Sequence, residues 1–170
     1  VAGVLGLVAA GGLGSRVPAV DGTPIQMAGL EPLALAESLI GRETGLMLLD
    51  LRSGEELGGR IPGAYAAPDE ASALQLLGTA PQGTTVIVYD GLGEIASVPH
   101  TWPRHLIYRY VQGGFLGWEF RVLTPALPGE TLEDRRWAAR QNQISAFFTG
   151  AAVETSLDAP PPPPMPVGGA

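Results

Sequence analysis

The clearest chemical layout in the sequence is Val86-Ile87-Val88-Tyr89-Asp90-Gly91-Leu92-Gly93-Glu94-Ile95. An apolar run ends in a glycine-rich loop, and an acid stands at the head of that loop. Catalytic loops of α/β enzymes occupy this position, at the carboxyl end of a buried parallel strand. Two roles fit a carboxylate there. One is nucleophile in phosphoryl transfer, which calls for Mg²⁺ and further acids. Only Glu94 is close in sequence, and the loop offers no Arg or Lys to hold a phosphate. The other is acceptor for N–H groups of its own loop, a common use of Asp in turns. The second role is expected; an altered hydrolase or transferase activity at Asp90 is the alternative.

The remaining inventory narrows the chemistry further. The 170 residues contain no Cys, hence no thiol nucleophile, thiolate metal site or disulfide. His100 and His105 are the only imidazoles, too few for a typical zinc site. Asp50 and Arg52 close an apolar run and read as a carboxylate and a guanidinium tying loops at the sheet edge. No cofactor and no metal is called for. The net charge of −7 is uneven: residues 21–100 hold eleven acids and three arginines, residues 101–140 six arginines and four acids. Nucleic-acid binding needs a basic field and is set aside. Every basic residue is Arg, which fits a GC-rich, bacterial genome.

These residues need elements to position them. Ile25-Gln26-Met27 is a short strand candidate. Residues 29–40 read as a helix, with Pro32 in its first turn and Leu33, Ala36, Leu39 and Ile40 as its apolar stripe. Residues 46–51 (LMLLDL) and 84–89 (TTVIVY) are continuous apolar runs, the pattern of parallel strands buried on both faces. A helix over 70–77 separates them, and 107–111 (IYRYV) is the next strand. A helix is also expected after the Asp90 loop, but Pro99 and Pro103 compromise it. The alternation of strand and helix predicts an α/β domain with a parallel sheet. Residues 119–130 read as a connector and 131–148 as a helix. Thr131 is its expected N-cap with Asp134 three residues on, and Gly150 ends it. Trp137, Ile144, Phe148 and Ala151 recur at helical spacing, opposite Arg135, Arg136 and Arg140.

One segment, Leu48-Leu49-Asp50-Leu51-Arg52-Ser53-Gly54-Glu55-Glu56-Leu57-Gly58-Gly59-Arg60-Ile61-Pro62-Gly63-Ala64-Tyr65-Ala66-Ala67-Pro68, resembles the rhodanese-like domain family. That family shows a strand ending in Asp-x-Arg, a short acidic helix, then His-Ile-Pro-Gly-Ala; Arg60 stands here in place of the usual His. A second match, residues 111–119, is similar to the family's Leu-x-Gly-Gly-x-x-x-Trp through Gly113, Gly114 and Trp118. Order and spacing fit over residues 25–120. The resemblance implies a parallel central sheet flanked by helices, with Asp50, Arg52, Pro62, Gly63, Gly113, Gly114 and Trp118 as structural motif residues. It places the family's sulfur-accepting cysteine at Asp90. An Arg often closes that loop; Ile95 stands there. A carboxylate cannot form a persulfide, so the resemblance implies a vestigial loop over Asp90-Gly91-Leu92-Gly93-Glu94-Ile95 and lost sulfurtransferase activity.

The extensions then carry the functional expectation. Residues 1–14 are uncharged, and Arg16 follows. As a helix they reach roughly 21 Å, short of a bilayer core of about 30 Å. With no initiator Met, they are expected to be the end of a membrane anchor; a signal-peptide remnant and a buried helix are the alternatives. Residues 17–24 read as a linker. Residues 121–150 are connector and amphipathic helix, and 151–170 form a Pro-rich tail with polyproline II composition. The expectation is a non-catalytic accessory or scaffold subunit of a membrane protein complex, respiratory or photosynthetic electron-transfer complexes being natural hosts. Its partners are other subunits, and the membrane through residues 1–14, at a bacterial inner membrane. Trp137, Ile144, Phe147, Phe148, Pro160, Pro162 and Pro164 are the candidate contacts. A ligand or cation sensor in the former active-site pocket is the second reading.

Overall fold

A computed structural model of the chain describes residues 22–54 and 59–152. The expected segment 1–16, residues 17–21 of the expected linker, Glu55-Glu56, and residues 153–170 of the expected 151–170 tail, with Pro160, Pro162 and Pro164, lie outside the described residues. Five strands form one parallel sheet in the order β2-β7-β5-β3-β4. They are β2 (Ala28–Leu30), β3 (Leu46–Asp50), β4 (Tyr65–Ala66), β5 (Thr85–Tyr89) and β7 (Ile107–Val111). Parallel pairing, with Leu49 opposite Val88 and Val88 opposite Tyr110, makes β5 and its apolar run the centre of the sheet. The parallel sheet flanked by helices, expected from the alternation and the resemblance, is therefore present.

Helices cover both faces. Helix α1 (Pro32–Ile40), α3 (Gly114–Trp118), a π-helical turn (Glu119–Leu123) and α4 (Leu132–Thr149) lie on one side. There Leu35, Leu48, Ile87, Phe115, Trp118 and Val122 form one core. Helix α2 (Glu70–Leu77) packs on the other, over Leu49, Val86, Val88 and Trp102. Two capping boxes set helix starts: Asp69 with Ser72 for α2, and Thr131 with Asp134 for α4. Gly150 ends α4 in the left-handed conformation at φ 72°, where glycine carries no steric penalty.

Several expectations need correction. Residues 28–30 form β2, so the helix expected over 29–40 starts only at Pro32, and the connector expected over 119–130 opens with the π-helical turn. No helix forms between Asp90 and β7. Instead β6 (Ser97–Val98) pairs antiparallel with β1 (Ile25–Gln26), and Pro99 accepts the Trp102 amide in a turn. The prolines at 99 and 103 remove helical donors there. The buried stripe of α4 is also displaced from the predicted one. Ala138, Gln141, Ile144 and Ser145 are buried, whereas Trp137 is 50% exposed and Ala151 is exposed. The stripe is partly polar because it satisfies the connector's carbonyls. Ser145 Oγ donates to Leu123 O at 2.9 Å, and Asn142 Nδ2 to Ala126 O at 3.1 Å. A hydrophobic period cannot register such contacts. Among the described residues, no helix is long and apolar enough to cross a membrane.

Candidate functional site

The central strand β5 delivers Asp90 to the carboxyl edge of the sheet. Its neighbours β3 and β7 deliver Asp50 and the Gly113-Gly114 turn to the same edge. The Asp90 loop is closed by its own carboxylate. Asp90 Oδ1 accepts the Gly93 amide, while Oδ2 accepts the amides of Glu94 at 3.0 Å and Ile95 at 3.1 Å. Three backbone donors thus converge on one anionic group, an arrangement known as an anion nest. Here the anion is covalently part of the loop.

The start of α3 clamps the loop from outside. Phe115 N–H donates to Asp90 O at 2.8 Å, and Leu116 N–H to Gly91 O at 3.0 Å. That approach requires glycine. A Cβ on Gly114 would stand 2.7 Å from both Asp90 O and Asp90 Oδ1, and Gly114 has a φ of +58°. Gly93 faces the same limit from the other side, since its Cβ would meet the Gly113 and Gly114 nitrogens at 2.5 Å. Glu94 and Leu92 point outward, Leu92 being 61% exposed.

Below the loop, Asp50 and Arg52 form a buried pair. Arg52 Nε donates to Asp50 Oδ1 at 2.9 Å and Nη2 to Oδ2 at 2.8 Å, a bidentate geometry. Arg60 Nε adds a contact to Oδ2 at 3.2 Å. Arg52 also donates to Gly59 O at 2.5 Å, and its guanidinium lies 3.8 Å from the Phe115 ring centroid. Burial pushes the Asp50 carboxyl up, but the Arg52 guanidinium and amide outweigh it and hold the group below the usual carboxylate range. The same carboxylate raises Arg52. Burial raises Tyr89, whose hydroxyl accepts the Ile61 amide at 3.3 Å. The cluster fastens Arg52 and residues 59–61 to β5 and α3.

Of the other motif residues, Trp118 is fully buried and meets Phe148 edge-on at 5.0 Å between ring centroids. Pro62 and Gly63 form an exposed turn. Ile144 and Phe148 pack into the core, while Phe147 is 63% exposed. His100 and His105 are not brought to the Asp90 loop's hydrogen-bond network, and no group of three or more His, Asp or Glu suited to a metal occurs among the described residues.

The chain is similar in structure to several solved proteins. One is a protein of unknown function from Rhodopseudomonas palustris described as a possible tyrosine phosphatase: 14% identity, TM-score 0.43, over 55% of this chain and 80% of that one. Another is Ygr203w of Saccharomyces cerevisiae, described as a homolog of single-domain rhodanese and the Cdc25 phosphatase catalytic domain: 15%, 0.43, over 55% and 80%. A third is a thiosulfate sulfurtransferase from Pseudomonas aeruginosa, 18% identical at TM-score 0.44, over 74% of this chain and 26% of that one. No family model and no curated protein matches the sequence. Identities and TM-scores this low say nothing of activity. The chain has no cysteine, so the thiol of rhodanese and phosphatase chemistry is absent.

Proposed function

We propose that this chain is a non-catalytic rhodanese-like domain that works through protein–protein contacts, as an accessory subunit of a membrane complex. The observation that carries the reading is the self-occupied Asp90 loop. Its Gly93, Glu94 and Ile95 amides already serve a carboxylate, and no thiol exists to carry sulfur. A nucleophilic Asp90 would first have to give up these bonds, each net worth roughly 1 kcal/mol or more to a charged acceptor. Exposed Trp137 and Phe147 on α4 supply aromatic contacts of the type enriched in interfaces. The apolar start and the Pro-rich tail are the sequences offered to the membrane and to a partner.

The test is turnover by the full chain with thiosulfate plus cyanide, and separately with p-nitrophenyl phosphate. The rate is expected to equal the uncatalysed blank in both. Turnover above the blank that Asp90→Asn abolishes would overturn the non-catalytic reading.

A further inference from the structure

Helices α1 and α4 lie on the same side of the sheet and leave an open groove of about 470 Å³ between their carboxyl-terminal halves. Ile40 of α1 and Ile144 of α4 line it with apolar side chains, and the ion pair of Glu37 with Arg140, 2.6 Å apart, joins its two walls. Phe147 also lines the groove, yet it is 63% exposed. Its ring stands edge-on to Phe148 at 5.1 Å between centroids, and Phe148 meets Trp118 in turn. The wall is therefore aromatic and held in place. Trp137, 50% exposed, extends the same face of α4, since positions 137, 140, 144 and 147 recur at helical spacing.

Length, charge and composition point to one occupant. The described residues end at Ala152, two positions past the Gly150 cap, so residues 153–170 leave from the Phe147 end of the groove. Residues 151–159 reach about 30 Å when extended, enough for the chain to reverse direction. Five consecutive prolines, Pro160–Pro164, and Met165 follow. In polyproline II, at about 3.1 Å per residue, Pro160 to Met165 spans about 15 Å. Trp137 to Phe147 along α4, at about 1.5 Å per residue, is also about 15 Å. Residues 135–149 carry Arg135, Arg136 and Arg140 with no acid, while residues 153–170 carry Glu154 and Asp158 with no base. Proline-rich segments dock in aromatic-lined grooves because their extended form is already stiff. A short tether makes even a weak contact of this kind intramolecular and effective.

We propose that the chain's own Pro-rich tail lies in the α1–α4 groove, with Pro160–Met165 running back along α4 from Phe147 to Trp137. The inference does not rest on the non-catalytic reading. A partner that takes the tail or the two aromatics competes with this contact.

The absence of cysteine allows a single nitroxide to be attached to the full chain through Val167→Cys, just beyond the Trp137 end. The readout is nitrogen-edited NMR with the nitroxide oxidised and then reduced, the Trp137 indole signal being assigned by its loss in Trp137→Phe. That signal is expected to vanish with the oxidised label and return on reduction, while the amides of Ala71 and Gln75, on α2 across the sheet, persist. Phe147→Ser is expected to restore the Trp137 signal. So is Pro161→Gly combined with Pro163→Gly, which leaves every described residue unaltered. A Trp137 signal that persists beside the oxidised label would overturn the proposal. So would a loss that neither variant reverses, the mark of a tail that only roams near α4. Loss in a mixture of nitroxide-bearing chains and isotope-labelled chains without nitroxide would overturn it too, by seating the tail on a second copy.

Discussion

Asp50 and Asp90 stand at the carboxyl ends of adjacent parallel strands, yet they face opposite problems. Asp50 is 1% exposed and must be neutralised, which Arg52 does with two parallel hydrogen bonds. Arg52→Ala strands a buried carboxylate with only Arg60 beside it. We expect a loss of about 3–5 kcal/mol, read from urea unfolding; a loss near zero would show that water or Arg60 replaces the pair. The pH dependence follows from the lowered Asp50. A depressed folded value contributes stability that is fully present above the ordinary value of 3.8 and is lost as pH falls through the folded value. Unfolding midpoints should therefore drop below about pH 4 in the wild type, and this part of the drop should vanish in Asp50→Asn. Asp90 is instead matched to amides. Asp90→Asn keeps one acceptor oxygen and turns an NH₂ toward donors, so a loss of about 1–3 kcal/mol is expected. The Asp50–Arg52 pair was legible from a two-residue spacing at a strand end. The partners of Asp90 were not, because which amides converge depends on backbone turns that no side chain encodes.

Elements explain why the loop keeps its shape. The turn from β7 into α3 lies against Asp90, with glycine at 93, 113 and 114 because backbone packs on backbone there. Gly114→Ala combines a φ of +58° with a Cβ 2.7 Å from Asp90 O. It should cost at least about 2 kcal/mol and open the loop, seen as faster amide exchange at Glu94 and Ile95. Unchanged exchange would mean that α3 does not hold the loop. The strands were legible because continuous apolar runs such as LMLLD and TVIVY fit a sheet covered on both faces. Helix α4 was legible from its Thr131–Asp134 cap and its Gly150 stop, and α2 as the segment between two apolar runs. The segment after Asp90 was not, since a broken helix leaves no period, and the β1–β6 pairing joins residues far apart in sequence. The inner face of α4 was hidden because Gln141 and Ser145 earn their burial through the carbonyls of Thr124 and Leu123.

At the scale of the whole molecule, the described residues form a sheet with both faces covered, to which α4 is tied by polar contacts and by Phe148 against Trp118. Trp137 and Phe147 remain at its surface. If the chain is an accessory subunit, these aromatics and the two extensions act together. Removing residues 1–16 should release the protein from membranes in fractionation; continued membrane association would place the contact elsewhere. The most direct test is the native mass of the protein after mild detergent extraction from its source membranes, with identification of what co-migrates. The account predicts a large, stoichiometric assembly. A free species near 17.6 kDa in the soluble fraction would contradict it.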